Sequence, residues 1–345
     1  MKGKILVTGG TGYIGSHTTV ELIESGYEVV VVDNLSNSQA SVIDRIEQIT
    51  GLRPQFFNFD LCDRSALENC LKSAGKIDGI IHFAASKAVG ESVENPLLYY
   101  RNNISSLINL LEGMNQYGIS NIVFSSSCTV YGQPQKLPVD ENTPIPKAQS
   151  PYGNTKQICE EILQDAAKAH PSLNVISLRY FNPVGAHNSA LIGELPNGVP
   201  SNLVPFITQT AAGLRSSLKV FGSDYDTHDG TAVRDYIHVV DLAQAHVRTL
   251  QLMLSKEFET QWSAYNLGTG VGYSVLDVIK SFEAVTDVKL NYEMAPRRPG
   301  DIEKIYADAT RANEELKWKA ERSLDDMMRS AWAWQKSLQD SASSR

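Results

Sequence analysis

The chain has 345 residues, 42% of them hydrophobic and 20% charged, which is typical of a globular protein long enough for two domains. Its formal net charge of −8, without a lysine or arginine run, argues against a nucleic-acid partner, and no apolar run approaches the ~20 residues of a membrane span. The N-terminus lacks a signal-peptide pattern, and four cysteines without a Cys-x-x-Cys pair are typical of free thiols, so we expect a cytoplasmic protein with no metal and no membrane partner.

The first chemical feature follows the first predicted strand. Residues 3–8 form a buried strand pattern, and the loop 9–15 (Gly-Gly-Thr-Gly-Tyr-Ile-Gly) follows it and opens an amphipathic stretch to Gly26. Glycines in this context let the backbone approach a pyrophosphate, which the helix N-terminus holds. A second apolar run, 28–32, ends at Asp33, where a carboxylate accepts from a ribose hydroxyl and repels a 2′-phosphate. The pattern predicts NAD rather than NADP; the alternative is a glycine turn without a ligand.

Strands and helices continue to alternate through the first half of the chain. We expect further strands near 54–58, 77–83, 120–126 and 173–179. Helices are expected between them, near 38–50, 63–73, 95–117 and 150–169. This alternation predicts an α/β fold: a Rossmann-type doubly wound parallel sheet with right-handed crossovers.

The second half of the chain is less regular. Residues 181–235 are rich in Pro, Gly, Asn and Ser but keep buried-type side chains, which favours a substrate-closing domain over a linker. A strand at 264–267 and helices near 274–285 and 310–317 complete this smaller α/β lobe. We therefore expect a cofactor domain at 1–180, joined by segments near 236–265, and a mainly substrate-binding domain at 181–345 that is interleaved with it.

The stretch from Ser150 to Lys156 contains a candidate acid–base pair. Ser150 and Pro151 favour a helix that begins here, because serine caps helices and proline suits the first helical position. Tyr152 and Lys156 then lie on one helical face. A neighbouring ammonium and the positive end of the helix dipole both lower a phenol pKa, so Tyr152 could exchange a proton with a sugar hydroxyl. The alternative is a surface tyrosine on an ordinary helix.

Other polar features lie where such folds bind ligands. Asp60 follows the third strand, where a carboxylate accepts from an adenine amino group, and His82 at the end of the fourth is interpreted as a packed, hydrogen-bonded residue. The hydroxyl cluster Ser125-Ser126-Ser127 ends the fifth strand, at the substrate edge of the sheet. The loop 297–301 carries two arginines and an aspartate, suited to phosphates and ribose hydroxyls; the alternative is a solvated basic turn.

These motifs together resemble a known superfamily. The glycine loop, the serine cluster and Tyr152-x-x-x-Lys156 resemble the extended short-chain dehydrogenase/reductases. Within it, three further segments resemble the UDP-glucose 4-epimerase (UDP-galactose 4-epimerase) family: 82–92, 179–185 and 230–238. The resemblance extends from about residue 3 to residue 320.

The resemblance implies a role for each matching position. Tyr152 matches the catalytic acid and base, Lys156 the lysine that holds the nicotinamide ribose, and Ser127 the serine that bonds the sugar O4. The implied NAD-binding residues are Tyr152 and Lys156 together with Gly9, Gly12, Tyr13, Ile14, Gly15, Asp33, Asn34, Asp60, Leu61, Phe83, Ala84 and Lys87. The implied UDP-sugar residues include Lys87, Ser127 and Tyr152 as well as Asn182, Asn202, Leu203, Arg234, Arg298, Asp301 and Ile305.

The implied reaction is C4 oxidation of the sugar, rotation of the 4-keto intermediate and re-reduction, which interconverts UDP-glucose and UDP-galactose with a retained NAD. Ile305 occupies a position that gates the sugar pocket in the family, so acceptance of N-acetylated sugars stays open. The resemblance also implies a homodimer through the helices near 95–117 and 150–169; the alternative is that their apolar faces are buried within one subunit.

Two alternative functions remain to be weighed. A nucleotide-sugar dehydratase needs an acid beside the active-site hydroxyl, where this chain has Ser127-Cys128-Thr129. A non-catalytic NAD- or sugar-nucleotide-binding regulator would not need the intact Ser127, Tyr152 and Lys156, which argue against it.

Overall fold

The protein is represented by a computed structural model that describes residues 2–255, 261–298 and 300–343. Its strands are β1 (Lys4–Thr8), β2 (Glu28–Asp33), β3 (Gln55–Asn58), β4 (Gly79–His82), β5 (Asn121–Ser127), β6 (Asn174–Tyr180), β7 (Asn182–Val184), β8 (Leu218–Phe221), β9 (Val233–His238), β10 (Trp262–Leu267), β11 (Gly272–Ser274), β12 (Tyr292–Ala295) and β13 (Lys304–Ile305). Its helices are α1 (Tyr13–Glu24), α2 (Ser41–Thr50), α3 (Arg64–Ala74), α4 (Val89–Glu94), α5 (Pro96–Tyr117), α6 (Pro151–Ala169), α7 (Leu203–Ala211), α8 (Val239–Ser255), α9 (Val275–Thr286), α10 (Thr310–Glu315) and α11 (Leu324–Ser343).

A seven-stranded parallel sheet forms the centre of the molecule, in the order β10-β6-β5-β4-β1-β2-β3. The order reverses direction at β1, which pairs with β2 on one side and with β4 on the other. Doubly wound sheets bind ligands at this switch point, outside the carboxyl ends of the strands. The predicted Rossmann-type fold is confirmed.

Helices bury both faces of the sheet, which explains its apolar strands. The core of β1 (Ile5, Leu6 and Val7) is fully buried. Ile5 and Val7 belong to the cluster that α1 and α8 cover, whereas Leu6 packs in the cluster with α3, α5 and α6. A strand with both faces buried has no polar alternation, so β1 and β2 could be recognised as apolar runs.

The predicted strand at 264–267 belongs elsewhere than expected. It is part of β10, which pairs in parallel with β6 at the edge of the large sheet, so its assignment to the smaller lobe is wrong. Because α8 packs on the sheet before it, the chain returns to the sheet as one more crossover.

A second group of elements lies beyond the carboxyl end of the sheet. Strand β9 pairs with β7, β11 and β13, and β8 pairs with β12. Helices α7, α9 and α11 pack around these strands in one apolar cluster. No helix among the described residues is long and apolar enough to cross a membrane.

Candidate active site

The glycine loop turns tightly between β1 and α1. Gly9 has φ +69°, and its N–H donates to the Val32 carbonyl at 2.7 Å. A Cβ on Gly15 would lie 2.1 Å from the Gly9 oxygen, so only glycine allows the helix to start this close to the loop. Gly12 caps α1 without a side-chain hydrogen bond, which leaves the first N–H groups of the helix directed at a ligand position.

Asp33 ends β2 beside this loop and is buried. Its carboxylate accepts hydrogen bonds from the Thr11 N–H at 3.1 Å, the Leu35 N–H at 2.9 Å and the Ser38 hydroxyl at 3.1 Å. The next residue, Asn34, donates to Asp60 at 3.1 Å, so a hydrogen bond joins the segments that follow β2 and β3.

The segment after β4 passes beneath the glycine loop. His82 is buried and its Nδ1 lies 2.7 Å from the Thr8 hydroxyl, which confirms a packed, hydrogen-bonded histidine; burial lowers its pKa to about 3. Phe83 packs its ring 4.7 Å from the ring of His246. Further along, the Lys87 ammonium lies 3.6 Å from Glu194.

These features fit a dinucleotide. The uncapped start of α1 offers backbone donors to a diphosphate, while Gly12, with only the Gly9 oxygen near its absent Cβ at 3.1 Å, keeps space open above them. Asp33 and Asp60 supply acceptors at the ends of β2 and β3, as ribose and adenine require.

Tyr152 stands in the first turn of α6, facing the end of β5. Ser150 caps the helix by accepting from the Gly153 N–H at 3.1 Å, and Pro151 is its first residue, as predicted. The Ser127 side chain lies close enough to the Tyr152 phenol to lower its pKa, and the Ser127 hydroxyl accepts from the Thr129 N–H at 3.2 Å. Phenol and hydroxyl therefore converge at the carboxyl edge of the sheet.

The predicted lowering of the Tyr152 pKa is wrong for the chain by itself. Burial raises the pKa of Tyr152 to about 12, against the smaller effect of Ser127. The Lys156 ammonium donates to the Ser125 carbonyl at 2.6 Å and lies 5.9 Å from the centroid of the Tyr152 ring. Burial also lowers the pKa of Lys156 to about 8. Desolvation outweighs the ammonium because Lys156 is directed at the strand rather than at the phenol oxygen.

The basic loop lies opposite, in the second lobe. Arg298 donates twice to Asp301, at 2.9 and 3.2 Å, and Arg234 of β9 lies 3.8 Å from the same carboxylate. Arg297 points elsewhere: it donates to Asp224 at 2.7 Å and its guanidinium stacks 4.0 Å from the Tyr225 ring. The structure thus groups three of the predicted UDP residues and separates the neighbouring arginine from them.

The remaining predicted residues are distributed around the same cleft. Asn182 begins β7, and Asn202 precedes α7, whose first residue is Leu203. Ile305 is 2% exposed and packs in an apolar cluster with Val130 and Phe181. Because Val130 is in the 3₁₀ turn Cys128–Tyr131 that follows Ser127, the Ile305 side chain lies near the predicted sugar position.

Sequence reasoning missed a buried ion pair behind the candidate catalytic side chains. Glu160 accepts from Arg179 at 2.5 and 2.9 Å and from the Ser126 hydroxyl at 2.5 Å. Arg179 also donates to the Tyr131 hydroxyl at 3.0 Å. Glu160 follows Lys156 by one helical turn, and this spacing was the available signal.

Sequence reasoning also missed Glu194, which contacts two predicted ligand residues. One carboxylate oxygen lies 3.6 Å from the Lys87 ammonium and accepts from the Asn202 amide at 2.6 Å. No local motif marks this residue: Lys87 is distant in the chain, and Asn202 follows eight residues later without a recognisable spacing.

One group of side chains has the spacing of metal ligands among the described residues. His228, Asp229 and Asp277 bring their ligand atoms within 4.8 Å of one another. Their carboxylates already accept from Ser274 and Thr231, and Asp277 completes the capping box of α9. The group therefore stabilises the start of α9.

Comparison with known proteins places this geometry in a family. The GDP-mannose 4,6 dehydratase family model matches residues 6–331. The UDP-glucose 4-epimerase of Haemophilus influenzae is 52% identical over 332 residues, which cover 96% of this chain and 97% of that protein. The Bacillus subtilis UDP-glucose 4-epimerase is 53% identical over 333 residues, with the same coverage of 96% and 97%.

Solved structures give the same result. The UDP-glucose 4-epimerase of Stenotrophomonas maltophila, with bound NAD and formylated UDP-arabinopyranose, has a TM-score of 0.95 and 50% identity and covers 98% of this chain and 99% of its own. The enzyme from Bifidobacterium longum, in complex with NAD+ and UDP, has a TM-score of 0.93 and 47% identity, with coverage of 98% and 99%. The chain therefore belongs to the UDP-glucose 4-epimerase family of the extended short-chain dehydrogenase/reductases.

Proposed function

We propose that this chain is an NAD-dependent epimerase that interconverts UDP-glucose and UDP-galactose by inverting C4 of the sugar. The observation that carries the proposal is the convergence of Tyr152 and Ser127 beside the buried Lys156, at the sheet edge where the glycine loop also opens. Relatives and a solved structure that are 50–53% identical to this chain are named UDP-glucose 4-epimerases, which supports the proposal.

NAD supplies reversible hydride acceptance when it is bound. Gly9, Gly12 and Gly15 would hold its pyrophosphate against α1, and Asp33 would accept from the adenosine ribose. Asp60 and Asn34 would serve the adenine end. The other residues proposed to line the cofactor are Tyr13, Ile14, Leu61, Phe83, Ala84, Lys87, Tyr152 and Lys156.

The proton chemistry belongs to Tyr152. Its phenolate takes the proton of the sugar 4-hydroxyl and its phenol returns one, while Ser127 donates to O4 and holds it in line. Burial opposes the phenolate in the chain alone, since it raises the Tyr152 pKa to about 12. The cationic Lys156, which favours the phenolate, is therefore required next to it.

The second lobe would hold the UDP part. Arg234 and Arg298 offer guanidinium donors to the diphosphate, and Asp301, which now accepts from Arg298, would accept from ribose hydroxyls. We assign Asn182, Asn202 and Leu203 to the same ligand. A nucleotide held at this end leaves only the sugar free to turn between the two half-reactions.

A proton NMR time course on the purified protein, without added cofactor, tests this function. UDP-galactose should convert to UDP-glucose, and a separate tube with UDP-N-acetylgalactosamine measures whether Ile305 leaves room for an acetamido group. Conversion of neither substrate, even after NAD is added, would contradict the proposal. It would favour a non-catalytic NAD- or sugar-nucleotide-binding regulator, or an enzyme that acts on another nucleotide sugar.

Dehydration is the second candidate, because the matching family model is named for a dehydratase. Elimination needs an acid beside the reacting hydroxyl, and Ser127-Cys128-Thr129 contain none. The nearby carboxylate of Glu160 is held by Arg179. The NMR experiment would reveal a 4-keto-6-deoxy product, whose methyl signal distinguishes it from an epimer.

We also propose a homodimer that forms through α5 and α6. Leu97 is 77% exposed and Leu98 50% exposed, and Ile108 is exposed further along α5, so this helix presents apolar surface that a second copy would cover. Light scattering on the wild type and on Leu97→Glu tests it: the variant should be a monomer.

The proposed location is the cytoplasm, in agreement with four free cysteines. Residues 1–180 with segments near 236–265 are proposed as the cofactor domain, and the rest of 181–345 as the substrate domain.

A further inference from the structure

A side chain that is absent from the proposed catalytic and binding residues, Glu194, contacts two of them. Its carboxylate is largely buried, with 12% of the side chain exposed, and accepts from the Asn202 Nδ2 at 2.6 Å. Because a carboxylate only accepts, the amide nitrogen of Asn202 must face Glu194 and its oxygen must face away. The Glu194 acceptor therefore sets the orientation of this amide.

Asn202 lies at a helix N-cap, where its side chain would ordinarily accept a hydrogen bond from the helix backbone. It is the N-cap of α7, with extended backbone (φ −96°, ψ 150°), yet α7 has no side-chain cap. An N-cap asparagine normally accepts from the second or third helical N–H and stabilises the helix by ~1 kcal/mol. The third helical residue is Pro205, so the Val204 N–H is the donor that Asn202 would reach.

The loop that carries Glu194 is itself anchored. Trp334 of α11 donates its indole N–H to the Glu194 carbonyl at 2.9 Å. A Cβ on Gly193 would lie 2.5 Å from the Trp334 ring, so the backbone is packed flat against the indole. Glu194 is thus held on a rigid surface rather than on a free loop, as an orienting residue requires.

We propose that Glu194 is a positioning residue that holds the Asn202 side chain away from the start of α7, so that the first N–H groups of this helix and the Asn202 oxygen stay available to the uridine diphosphate. This inference rests on the proposed function, which assigns Asn202 and Leu203 to that ligand. The ion pair to Lys87 is longer, at 3.6 Å, and 53% of the lysine side chain is exposed, so it adds little.

The test measures UDP binding by calorimetry together with kcat and KM for UDP-galactose. In Glu194→Ala the Asn202 amide is free to cap α7, and UDP affinity should fall about tenfold with a parallel rise in KM, as loss of a charge-assisted hydrogen bond predicts. The kcat should stay within about threefold, because Tyr152 and Ser127 are untouched.

Rescue separates positioning from folding. Glu194→Gln keeps an oxygen that accepts from Asn202, so it should restore UDP affinity to within about threefold of the wild type. The double variant Glu194→Ala/Asn202→Ala should bind UDP as Asn202→Ala does, because the two residues act through one contact. Glu112→Gln, which removes a surface ion pair to Arg64, is the matched control and should bind UDP as the wild type does.

Three results would overturn the inference: wild-type UDP affinity in Glu194→Ala, equal loss in the alanine and glutamine variants, or additive losses in the double variant. Wild-type affinity in Asn202→Ala would instead remove Asn202 from the proposed site. Failure of the wild type to convert UDP-galactose while it binds UDP would contradict the proposed reaction alone.

Discussion

The Lys156 ammonium donates to the Ser125 carbonyl at 2.6 Å, and not to the phenol of Tyr152, whose ring centroid lies 5.9 Å away. The Lys156 Nζ also lies over the Phe124 ring, 4.9 Å from its centroid, so both contacts of the ammonium are with β5. A buried cation that is satisfied by one carbonyl and a ring is kept at an energetic cost. We therefore expect Lys156 to contribute to function rather than to stability.

Replacement of Lys156 by methionine should therefore separate stability from activity. At pH 7 the wild-type lysine is charged, and burial holds its pKa at about 8. Lys156→Met removes the buried charge and should raise the free energy of unfolding by about 1–2 kcal/mol, while kcat falls at least about 100-fold. Urea denaturation and the NMR assay measure the two effects. A destabilised variant would contradict the argument.

Tyr152→Phe should remove the proton transfer and leave binding intact. General acid–base catalysis contributes about 10²–10⁴-fold, so kcat should fall by that factor while UDP affinity is unchanged. Tyr117→Phe is the matched control, since the buried Tyr117 hydroxyl has no hydrogen-bond partner in the described part of the chain. Substantial activity in Tyr152→Phe would assign the acid–base role to another group.

Two glycines of the first loop should respond differently to alanine. At Gly15 the new Cβ would meet the Gly9 oxygen at 2.1 Å, so Gly15→Ala should destabilise the fold by more than about 2 kcal/mol. At Gly12 the nearest atom is 3.1 Å away, so Gly12→Ala should fold, yet its methyl would occupy the space proposed for the pyrophosphate.

Thermal melting and the absorbance of co-purified NAD distinguish the two variants. Gly12→Ala should lose at least about 90% of its NAD at near wild-type melting temperature, whereas Gly90→Ala, with open space around its absent Cβ, should change neither quantity. Full NAD content in Gly12→Ala would show that the pyrophosphate does not bind in the space above Gly12.

The adjacent arginines of the basic loop should differ in substrate binding. Arg298 shares Asp301 with Arg234, whereas Arg297 is held by Asp224 and the Tyr225 ring. Arg298→Ala should raise the KM for UDP-galactose about 10–100-fold, as loss of charge-assisted phosphate contacts predicts, and leave NAD content unchanged. Arg297→Ala is the control and should change KM less than about threefold. Equal effects would refute this assignment.

Buried histidines should make the fold sensitive to acid. Burial lowers the pKa of His17, His82 and His238 to about 3 and that of His246 to about 4. Since the unfolded chain protonates these rings near pH 6.5 and the folded chain does not, stability is fully present above pH 6.5 and is lost as pH falls toward the folded values.

The expected slope is about 1.4 kcal/mol per pH unit for each histidine within that window. Urea denaturation at pH 7 and pH 5 measures this slope. His246→Leu should reduce it by about 1.4 kcal/mol per pH unit, because one histidine fewer takes up a proton on unfolding. Equal stability of the wild type at both pH values would show that these rings are protonated in the folded state.

Local patterns in the sequence were sufficient for the Rossmann fold and for the positions of the glycine loop and the start of α6. Strand, glycine loop and helix follow one another without interruption, and Ser150 and Pro151 act on the helix that they begin. These features depend on backbone conformation and neighbouring residues, which a sequence displays directly. The family resemblance added residue roles, which remain proposals here.

Only the tertiary structure decided how distant residues face one another. It placed β10 in the large sheet and directed Lys156 to Ser125 instead of Tyr152. It also separated Arg297 from Arg298 and brought Glu194 to Lys87. Side-chain direction and desolvation follow from packing between segments far apart in the chain, and periodicity and motif spacing contain no information on either.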